Sequence, residues 1–400
     1  MKRFEVDRRQ FLALAGSTAA ALAWPPGVLA GAPFEPSPPG SPPAQTRPSR
    51  SRQVLAKPIM LGDGDHLENV DLFVPEDFQW TTVSAAVFAR GRDIRVRNVT
   101  LTTYADRWQP HWNAEPSGMT GRGIDPSMCG LRFDACTNLA IDGLEVSGFP
   151  QCGAIFYGTR TASLRDLAGH DCFAIYCFMD FKGSNRGVDL QYLRARDTWG
   201  PGPRVKAGVG GHPSAKRPGQ FMGGDGLPGH FEDSRLRDLD FSGELYAGFK
   251  IVMSRRVQIE RLRTNCFFIQ GTQQRHVNVN GTTEGSHHIT VEDLIVDKSL
   301  SPGDVSELGN AVQISWHVSD LTVRNFVVRA NGHGGHAIQL SGNCQAVFEG
   351  GLISGFNGKR GPAPAYALEL DDHSTVNADF SSVNRFENQQ RLIRGGPSPA

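Results

Sequence analysis

The sequence predicts an all-β protein, a single-stranded right-handed parallel β-helix in which the chain coils into a solenoid. Apolar and polar residues alternate with period 2, as in Ala311-Val312-Gln313-Ile314 and again from Leu321 to Val328, which is the pattern of half-buried strands. The unit of one alternation, a polar turn and a second alternation recurs from residue 85 to residue 370, at a period of about 20 to 30 residues that is typical of stacked repeats. The 46 glycines and 25 prolines suit a chain that turns often. We expect about a dozen turns, each with three short strands.

The chain divides into four segments. Residues 1–30 are predicted to be a twin-arginine signal peptide, because Arg8-Arg9 precedes the apolar stretch Leu12 to Leu22 and Val28-Leu29-Ala30 offers small residues for cleavage. Residues 31–53 are rich in Pro and Ser and read as a disordered linker. The β-helix is expected over 54–390, followed by a tail over 391–400. The mature protein is therefore expected in the periplasm or outside the cell, without stable insertion in a membrane.

Charge and cysteine content exclude some partners and leave others open. The 41 basic residues balance the 41 acidic ones, so the overall field favours neither nucleic acid nor an anionic membrane. The seven cysteines read mainly as stacked small core residues, with the pairs Cys129–Cys136 and Cys172–Cys177 left open as disulfides. Their spacing matches no zinc signature. The oligomeric state does not follow from the sequence.

Insertions in the repeat predict a groove along the first strand of each turn. The stretches 105–127, 199–222, 299–309 and 357–364 share one phase of the repeat, and 271–287 lies on the other side of the same strand. Insertions on one side of a solenoid are typical of a binding face. Alternation then predicts two outward columns on the groove floor, spaced by about 4.8 Å per turn: Arg132, Lys250, Gln313, Gln339 and Glu369, with Asp134, Tyr157, Gln270, Ser315, Ser341 and Asp371 beside them.

The side chains of this groove predict a polysaccharide partner. Amide, hydroxyl and charged groups suit a polymer rich in hydroxyls, and the indoles of Trp108 and Trp112 suit the flat faces of sugars. The insertion 199–222 has several basic residues and no acidic one, which favours an acidic substrate such as a polyuronate. The predicted substrate-binding residues are Arg132, Arg255, Gln270, Arg275, Gln313, Gln339, Trp108 and Trp112.

Two chemistries fit such a groove. A lyase needs a base for the C5 proton of a uronate and a cation on its carboxylate: here Lys250 or His230 is the base, Tyr176 the acid, and Arg255 or Arg275 the carboxylate partner. A glycoside hydrolase needs two carboxyls across the scissile bond, here Asp180 and Asp225. We expect elimination ahead of hydrolysis, because of the basic insertion. A polysaccharide-binding or adhesin solenoid without catalysis is the rival class.

The repeat over residues 54 to 390 resembles the right-handed parallel β-helix superfamily of pectate lyases and polygalacturonases. Gly332-His333-Gly334 resembles the Gly-His-Gly element of polygalacturonases. The paired Asp, Asn-x-Asp and Arg-x-Lys elements of those hydrolases are absent at the matching places, and Asp371-Asp372 follows Gly332-His333-Gly334 instead of preceding it. The Arg-x-Pro-x-x-Arg element of pectate lyases is absent as well. The resemblance therefore implies the fold and a carbohydrate polymer, and it leaves a Ca²⁺ cofactor open without naming a metal site.

Overall fold

The protein is a right-handed parallel β-helix built from two long parallel sheets. The computed structural model describes residues 36–44, 46–83, 85–103, 129–149, 152–170, 177–196, 220–223, 231–241, 247–271, 285–298, 310–331, 335–356, 366–371, 374–378, 385–387 and 391–394. Strands alternate between the sheets along the chain up to the 23rd strand. Each of the first 21 pairs with the strand two positions later, whereas the 24th strand pairs with the 21st and the 25th with the 22nd. The predicted fold class is therefore confirmed.

Sheet A has 13 strands in the described ranges. They are β1 (Ser51–Val54), β3 (His66–Val74), β5 (Arg95–Thr103), β7 (Thr137–Ser147), β9 (Arg160–His170), β11 (Asn185–Arg196), β13 (Phe231–Asp240), β15 (Arg255–Thr264), β17 (Ser286–Asp297), β19 (Val318–Arg329), β21 (Gln345–Ser354), β23 (Thr375–Ala378) and β24 (Arg385–Glu387).

Sheet B has 12 strands in the same ranges, most of them shorter than those of sheet A. They are β2 (Ile59–Leu61), β4 (Ala85–Ala89), β6 (Cys129–Asp134), β8 (Cys152–Tyr157), β10 (Cys177–Lys182), β12 (Gln220–Gly223), β14 (Ala247–Val252), β16 (Phe267–Gln270), β18 (Val312–Ser315), β20 (Ile338–Ser341), β22 (Tyr366–Leu370) and β25 (Arg391–Arg394). β12 lies partly in a segment that the sequence assigns to an insertion, 199–222.

Each turn contains two strands where the sequence predicts three, because the second and third run together as one bent strand. Ten strands of sheet A have a residue of left-handed φ, between 51° and 79°, near their middle. The neighbours of these residues pair in register from β3 to β21. The ten residues therefore form one column, the bend column: Asn69, Asn98, Gly143, Asp166, Tyr192, Asp238, Arg261, Asp293, Asn325 and Gly350. Asn, Asp and Gly dominate it because they tolerate this conformation best.

Stacked apolar side chains fill the space between the sheets. The rings of Phe133, Phe156 and Phe181 lie on successive turns, with centroids 5.0 and 4.6 Å apart and planes within 10° of parallel. Phe249 and Phe267 repeat the arrangement at 5.5 Å. Inward-pointing phenylalanine rings therefore stack on phenylalanine rings of the next turn. In this way the repeat in the sequence produces a continuous core.

The cysteines whose side chains are described belong to the interior. Cys129, Cys136, Cys266 and Cys344 are buried thiols, so the Cys129–Cys136 disulfide that the sequence leaves open is not formed. Burial raises the pKa of Cys136 and of Cys344 to about 11. The possible pair Cys172–Cys177 lies outside the described side chains.

Residues 36–50, apart from residue 45, lie along the bend column, where the sequence predicts a disordered linker over 31–53. The Gly40 amide donates to Asp238 Oδ1 at 2.8 Å, and the Arg47 guanidinium pairs with Asp166. Arg50 Nε donates to Asn98 Oδ1 at 2.9 Å. We call these residues the N-terminal strap; β1 follows it and starts sheet A. The strap is held by polar contacts and has few apolar residues, so apolar patterning in the sequence does not predict that it packs on the solenoid.

No helix in the described ranges has the length and hydropathy to span a lipid bilayer.

Candidate functional site

The outer face of sheet B has the predicted columns, and pairing fixes their register. Lys250 pairs with Phe268, Phe268 with Gln313, Gln313 with Gln339, and Gln339 with Glu369. Beside them, Gln270 pairs with Ser315 and Ser315 with Ser341. Alternation therefore predicts correctly which residues share this face.

The first column is less polar than expected. Phe88, Ile155 and Phe268 occupy it together with the polar residues, and these three side chains are 8%, 7% and 4% exposed. The polar side chains thus form separate groups along the face, with apolar patches between them.

The first group lies near the N-terminal end of the face and combines cations with aromatic rings. Arg132 donates twice to the buried carboxylate of Asp134, at 2.8 and 2.9 Å, and these hydrogen bonds raise its pKa above the usual range. Arg90 lies 3.5 Å from the same carboxylate. The Arg90 and Arg132 guanidinium carbons lie 5.8 and 6.0 Å from the Phe88 ring centroid. Tyr157, which pairs with Asp134, is 42% exposed, so an aromatic ring and an arginine are both accessible here.

The second group is centred on Lys250, on strand β14. Its neighbours Phe249 and Ile251 are almost fully buried, whereas Lys250 is half-buried on the outer face. Asp180 is two turns away in the same register, because Asp180 pairs with Gly223 and Met222 with Phe249. The position between Asp180 and Lys250 is thus Gly223, which contributes no side chain to the face.

The third group lies on strands β18 to β22 and is linked by hydrogen bonds. Asn310 Nδ2 donates to Gln339 Oε1 at 2.6 Å, and Gln339 Nε2 donates to Glu369 Oε2 at 2.7 Å. His336 Nε2 lies 2.9 Å from the same Glu369 oxygen. The side chains of His336 and Glu369 are 12% and 18% exposed. We call Asn310, His336, Gln339 and Glu369 the amide–carboxylate cluster.

Backbone contacts fix the amide–carboxylate cluster further. The His336 amide donates to Asn310 Oδ1 at 3.2 Å, and the His336 carbonyl accepts from the Ala311 amide at 3.0 Å. The His336 ring centroid is 5.3 Å from that of Tyr366 on the next turn. Sequence reasoning found Gln339 and Glu369 by alternation. It did not place Asn310 and His336 in this group, because both precede their strands, where alternation does not apply.

The remaining predicted residues are not all on this face. Arg255 is the first residue of β15 in sheet A, where its Nε is 3.9 Å from Glu232 Oε1, so it lies on a different sheet from Lys250. Gln270 lies at the end of β16 on the sheet B face, and its carbonyl accepts from the Ser286 hydroxyl. The other predicted residues lie outside the described residues: His230, Tyr176, Asp225, Arg275, Trp108 and Trp112. The Asp180 side chain also lies outside the description.

A depression of about 470 Å³ lies on sheet A near the starts of β11, β13, β15 and β17. Its lining includes Asp189, Asp233, Arg235, Arg256 and His288. The charges there form mutual ion pairs, such as that between Arg256 and Asp233, and Arg235 pairs with Glu260 at 2.7 Å. Paired charges of this kind on an exposed sheet face are typical of a solvated surface. In the described part of the chain, no group of three or more His, Cys, Asp or Glu side chains could hold a metal ion.

Comparison with known proteins supports the fold. No protein-family model matches the chain, and no curated protein matches it. The surface protein and adhesin PfbA of Streptococcus pneumoniae is similar in structure, with a TM-score of 0.57 and 10% identity over 87% of this chain and 90% of PfbA. A second PfbA structure has a TM-score of 0.54 and 10% identity, over 86% of this chain and 84% of PfbA. An alginate lyase from a Paenibacillus species has a TM-score of 0.39 and 12% identity, over 82% of this chain and 92% of the lyase. At such identity the likeness to PfbA shows a shared fold.

Proposed function

We propose that this protein is an exported carbohydrate-active β-helix protein that binds an acidic polysaccharide along the outer face of sheet B and cleaves it by β-elimination. The observation that carries the proposal is the position of Lys250 on that face, with Phe249 and Ile251 turned inward and glycine on the preceding turn. A lysine on a rigid strand is held more firmly than one on a loop. The polar groups on both sides of it offer subsites for a long chain.

The proposed chemistry is as follows. Lys250 in its neutral form, or His230, removes the C5 proton of a uronate. The C5 electron pair forms the C4–C5 double bond, and the bond between C4 and the glycosidic oxygen breaks. Tyr176 donates a proton to that oxygen. A guanidinium on the carboxylate stabilises the charge that builds up at C5. Arg275 keeps this role in the proposal, because Arg255 lies on sheet A beside Glu232.

A second candidate is hydrolysis by Asp180 and Asp225. A retaining glycosidase needs its two carboxyls about 5 to 5.5 Å apart, close to the spacing of about 4.8 Å between neighbouring turns. Asp180 pairs with Gly223 on the next turn, and Asp225 follows Gly223 by two residues in sequence.

The third candidate is binding without cleavage. It is favoured by the amide–carboxylate cluster, whose members are already held by one another and so lose little freedom when a ligand binds.

The experiment is incubation of the mature protein with uronate-containing and neutral polysaccharides, with and without Ca²⁺. Two products are measured together: the ultraviolet absorbance of unsaturated uronates and the number of new reducing ends. Elimination raises both, whereas hydrolysis raises reducing ends alone. Retention of a polysaccharide without either product supports the binding module and removes the enzyme proposal.

Lys250→Met tests the proposed base, since Met keeps an unbranched side chain of similar length and removes the amine. Lys57→Met is its matched control, because Lys57 is exposed between β1 and β2. We expect Lys250→Met to lower kcat at least 100-fold, in the range for loss of a general base, and Lys57→Met to leave it unchanged. Equal activity in the two variants removes Lys250 from the mechanism. Asp225→Asn tests the hydrolytic alternative in the same way.

Export is tested separately. Replacing Arg8-Arg9 by Lys-Lys weakens a twin-arginine signal, so the precursor should accumulate in the cytoplasm, and cells lacking the twin-arginine translocase should show the same accumulation. Secretion that is unaffected by either change contradicts this route.

A further inference from the structure

The corner at which the chain passes from sheet B to sheet A repeats one backbone conformation. In the described ranges, six sheet B strands are followed at once by a residue with φ between 48° and 77°. Glycine adopts this left-handed conformation without strain, whereas a bulky side chain rarely does. Alanine and glycine occupy four of the six positions, and two large side chains depart from the preference. We call these residues the corner column: Ala135, Gly158, Gly183, Met253, Trp316 and Gly342.

The two large residues of the corner column differ in burial. Met253 is 5% exposed, so packing in the interior accounts for its presence. Trp316 is half-buried, and it is followed by His317, which is also half-buried and has a left-handed φ of 59°. Packing alone does not explain an accessible indole in a disfavoured backbone conformation. Backbone outliers of this kind cluster at ligand sites, where function maintains them.

The backbone of Trp316 and His317 is held from both neighbouring turns. Both amides donate to backbone carbonyls of the following turn, each at 2.8 Å. On the preceding turn, Gly271 and Gly285 pack closely against the pair: a Cβ on them would lie 1.8 and 1.5 Å from the carbonyl oxygens of Trp316 and His317. Only glycine permits so close an approach. A side chain presented from a backbone fixed in this way loses little freedom when a ligand binds.

The Trp316 indole lies against Gly342 on the following turn, with polar groups beside it. A Cβ on Gly342 would lie 2.8 Å from Trp316 Cδ1, so the missing side chain leaves room for the ring. The Gly342 amide donates to the Asp371 carboxylate. Asn343 is exposed, and its Nδ2 lies 3.5 Å from His317 Nδ1. A flat ring next to an amide and an imidazole suits a sugar, whose C–H face stacks on the indole while its hydroxyls meet the polar groups.

The register gives the position of Trp316 relative to Lys250. Lys250 pairs with Phe268 and Phe268 with Gln313, which is thus two turns from Lys250, and Trp316 follows Gln313 by three residues. Two turns span about 10 Å along the solenoid, and three residues span about 10 Å along the strand. The two backbone positions are therefore about 14 Å apart. The indole lies at the edge of the sheet B face, displaced from Lys250 towards the C-terminal end.

We infer that Trp316 is a stacking platform for one pyranose ring of the polysaccharide, at the edge of the sheet B face. The platform recognises the C–H face of the ring, so it accepts charged and uncharged sugars alike. The inference rests on the proposed function of this face and deepens it. It adds a subsite that holds the polymer and takes no part in breaking the bond.

The test compares three variants. Trp316→Gly removes the ring and supplies the residue that the left-handed conformation favours, and Trp316→Phe keeps a smaller ring. The matched control is Ala135→Gly, because Ala135 is exposed at the same corner with a φ of 50°. Circular dichroism gives the melting temperature of each variant. Isothermal titration calorimetry gives the Kd for a uronate oligosaccharide at about 0.1 M and about 1 M NaCl, because salt screens ion pairs but not stacking.

We expect Trp316→Gly to weaken binding about tenfold at both salt concentrations, which corresponds to about 1.4 kcal/mol. Its melting temperature should stay at the wild-type value, because relief of backbone strain offsets the lost contacts of the ring. Trp316→Phe should bind with intermediate affinity, and Ala135→Gly with wild-type affinity.

Unchanged affinity in Trp316→Gly overturns the inference, as does a loss that disappears at high salt or an equal loss in Ala135→Gly. If Trp316→Gly lowers both affinity and melting temperature, Trp316→Phe decides. Weaker binding by Trp316→Phe at the wild-type melting temperature supports the platform, and any other result for that variant overturns it.

Cleavage is measured on the same samples to separate the two proposals. Trp316→Gly should raise KM about tenfold and leave kcat unchanged, because stacking holds the substrate and the transition state equally; a loss confined to kcat overturns the platform. A wild-type protein that cleaves nothing, but binds more weakly as Trp316→Gly, removes the enzyme proposal and keeps the platform. Cleavage with unchanged binding by Trp316→Gly removes the platform and keeps the enzyme. Absence of binding to the uronate oligosaccharide and to a neutral one overturns both.

Discussion

Asp238 connects four parts of the molecule, and replacing it with Asn isolates the contribution of its charge. Its carboxylate accepts from Arg261 Nε and Nη2 at 2.6 and 3.0 Å, from the Gly40 amide at 2.8 Å, and from Gln191 at 3.3 Å. The side chain is 3% exposed. Asp238 has a left-handed φ of 56°, which Asn tolerates as well as Asp does. Asp238→Asn therefore removes the charge without straining the backbone.

The expected loss of stability follows from the Arg261 contacts. Hydrogen bonds to a charged group contribute about 1.5 to 3 kcal/mol, so Asp238→Asn should lower the free energy of unfolding by about that amount. The control is Asp189→Asn, whose carboxylate is 54% exposed and pairs with Arg237 at 2.9 Å. An exposed pair contributes at most about 1 kcal/mol. Equilibrium urea denaturation followed by circular dichroism measures both variants.

The difference in unfolding free energy between the wild type and Asp238→Asn should depend on pH with a definite sign. Burial alone raises the pKa of Asp238, but the hydrogen bonds from Arg261, the Gly40 amide and Gln191, with the Arg261 charge, outweigh burial and lower it. A carboxyl whose pKa is lower in the folded than in the unfolded protein contributes stability at pH values above its unfolded-state pKa, about 3.9 for Asp. That stability is lost as the pH falls through the folded-state pKa. The wild type and Asp238→Asn should therefore converge below about pH 4. A difference that persists at low pH, or one no larger than that of Asp189→Asn, would refute the reasoning.

Three further perturbations test the fold. Phe156→Ala removes the middle ring of a stacked core column and should cost about 3 to 5 kcal/mol of unfolding free energy in urea denaturation; a cost below about 1 kcal/mol argues against that packing. Cys136 and Cys344, with pKa values of about 11, should resist a thiol reagent at neutral pH in the native protein and react once it is unfolded; rapid native labelling contradicts their burial. Gly143→Ala should destabilise more than Gly64→Ala, although both have left-handed φ, because only the first new Cβ meets the Arg47 guanidinium, within 2.5 Å, and moving that group breaks its ion pair with Asp166; equal melting temperatures would place the strap elsewhere.

The sequence reveals the solenoid because burial in a repeat is periodic. Alternation identified Phe249 and Ile251 as inward and Lys250 as outward, and the register bears this out. The bend of the long strands was not visible in the same pattern, because it depends on one left-handed residue per strand. That residue can be Tyr192 or Arg261 as well as Asn, Asp or Gly.

Alternation does not show contacts that depend on the turns between strands. Arg255 follows Met253, whose φ is 48°, and the chain has passed to sheet A by the time Arg255 is reached. His336 contacts Glu369 on the neighbouring turn of the solenoid, 33 residues later in sequence, although neither residue type marks such a pair. The N-terminal strap depends on polar contacts such as that of Arg47 with Asp166, which leave no apolar pattern for a sequence to show.

The central claim is that the outer face of sheet B binds the polysaccharide. The most direct measurement is a crystal structure of the mature Lys250→Met variant with a uronate oligosaccharide. We expect sugar density along the outer face of sheet B, with acidic sugars near Arg132 and residue 250. Density in the depression on sheet A beside Asp233 and Arg256 instead, with the sheet B face empty, would contradict it.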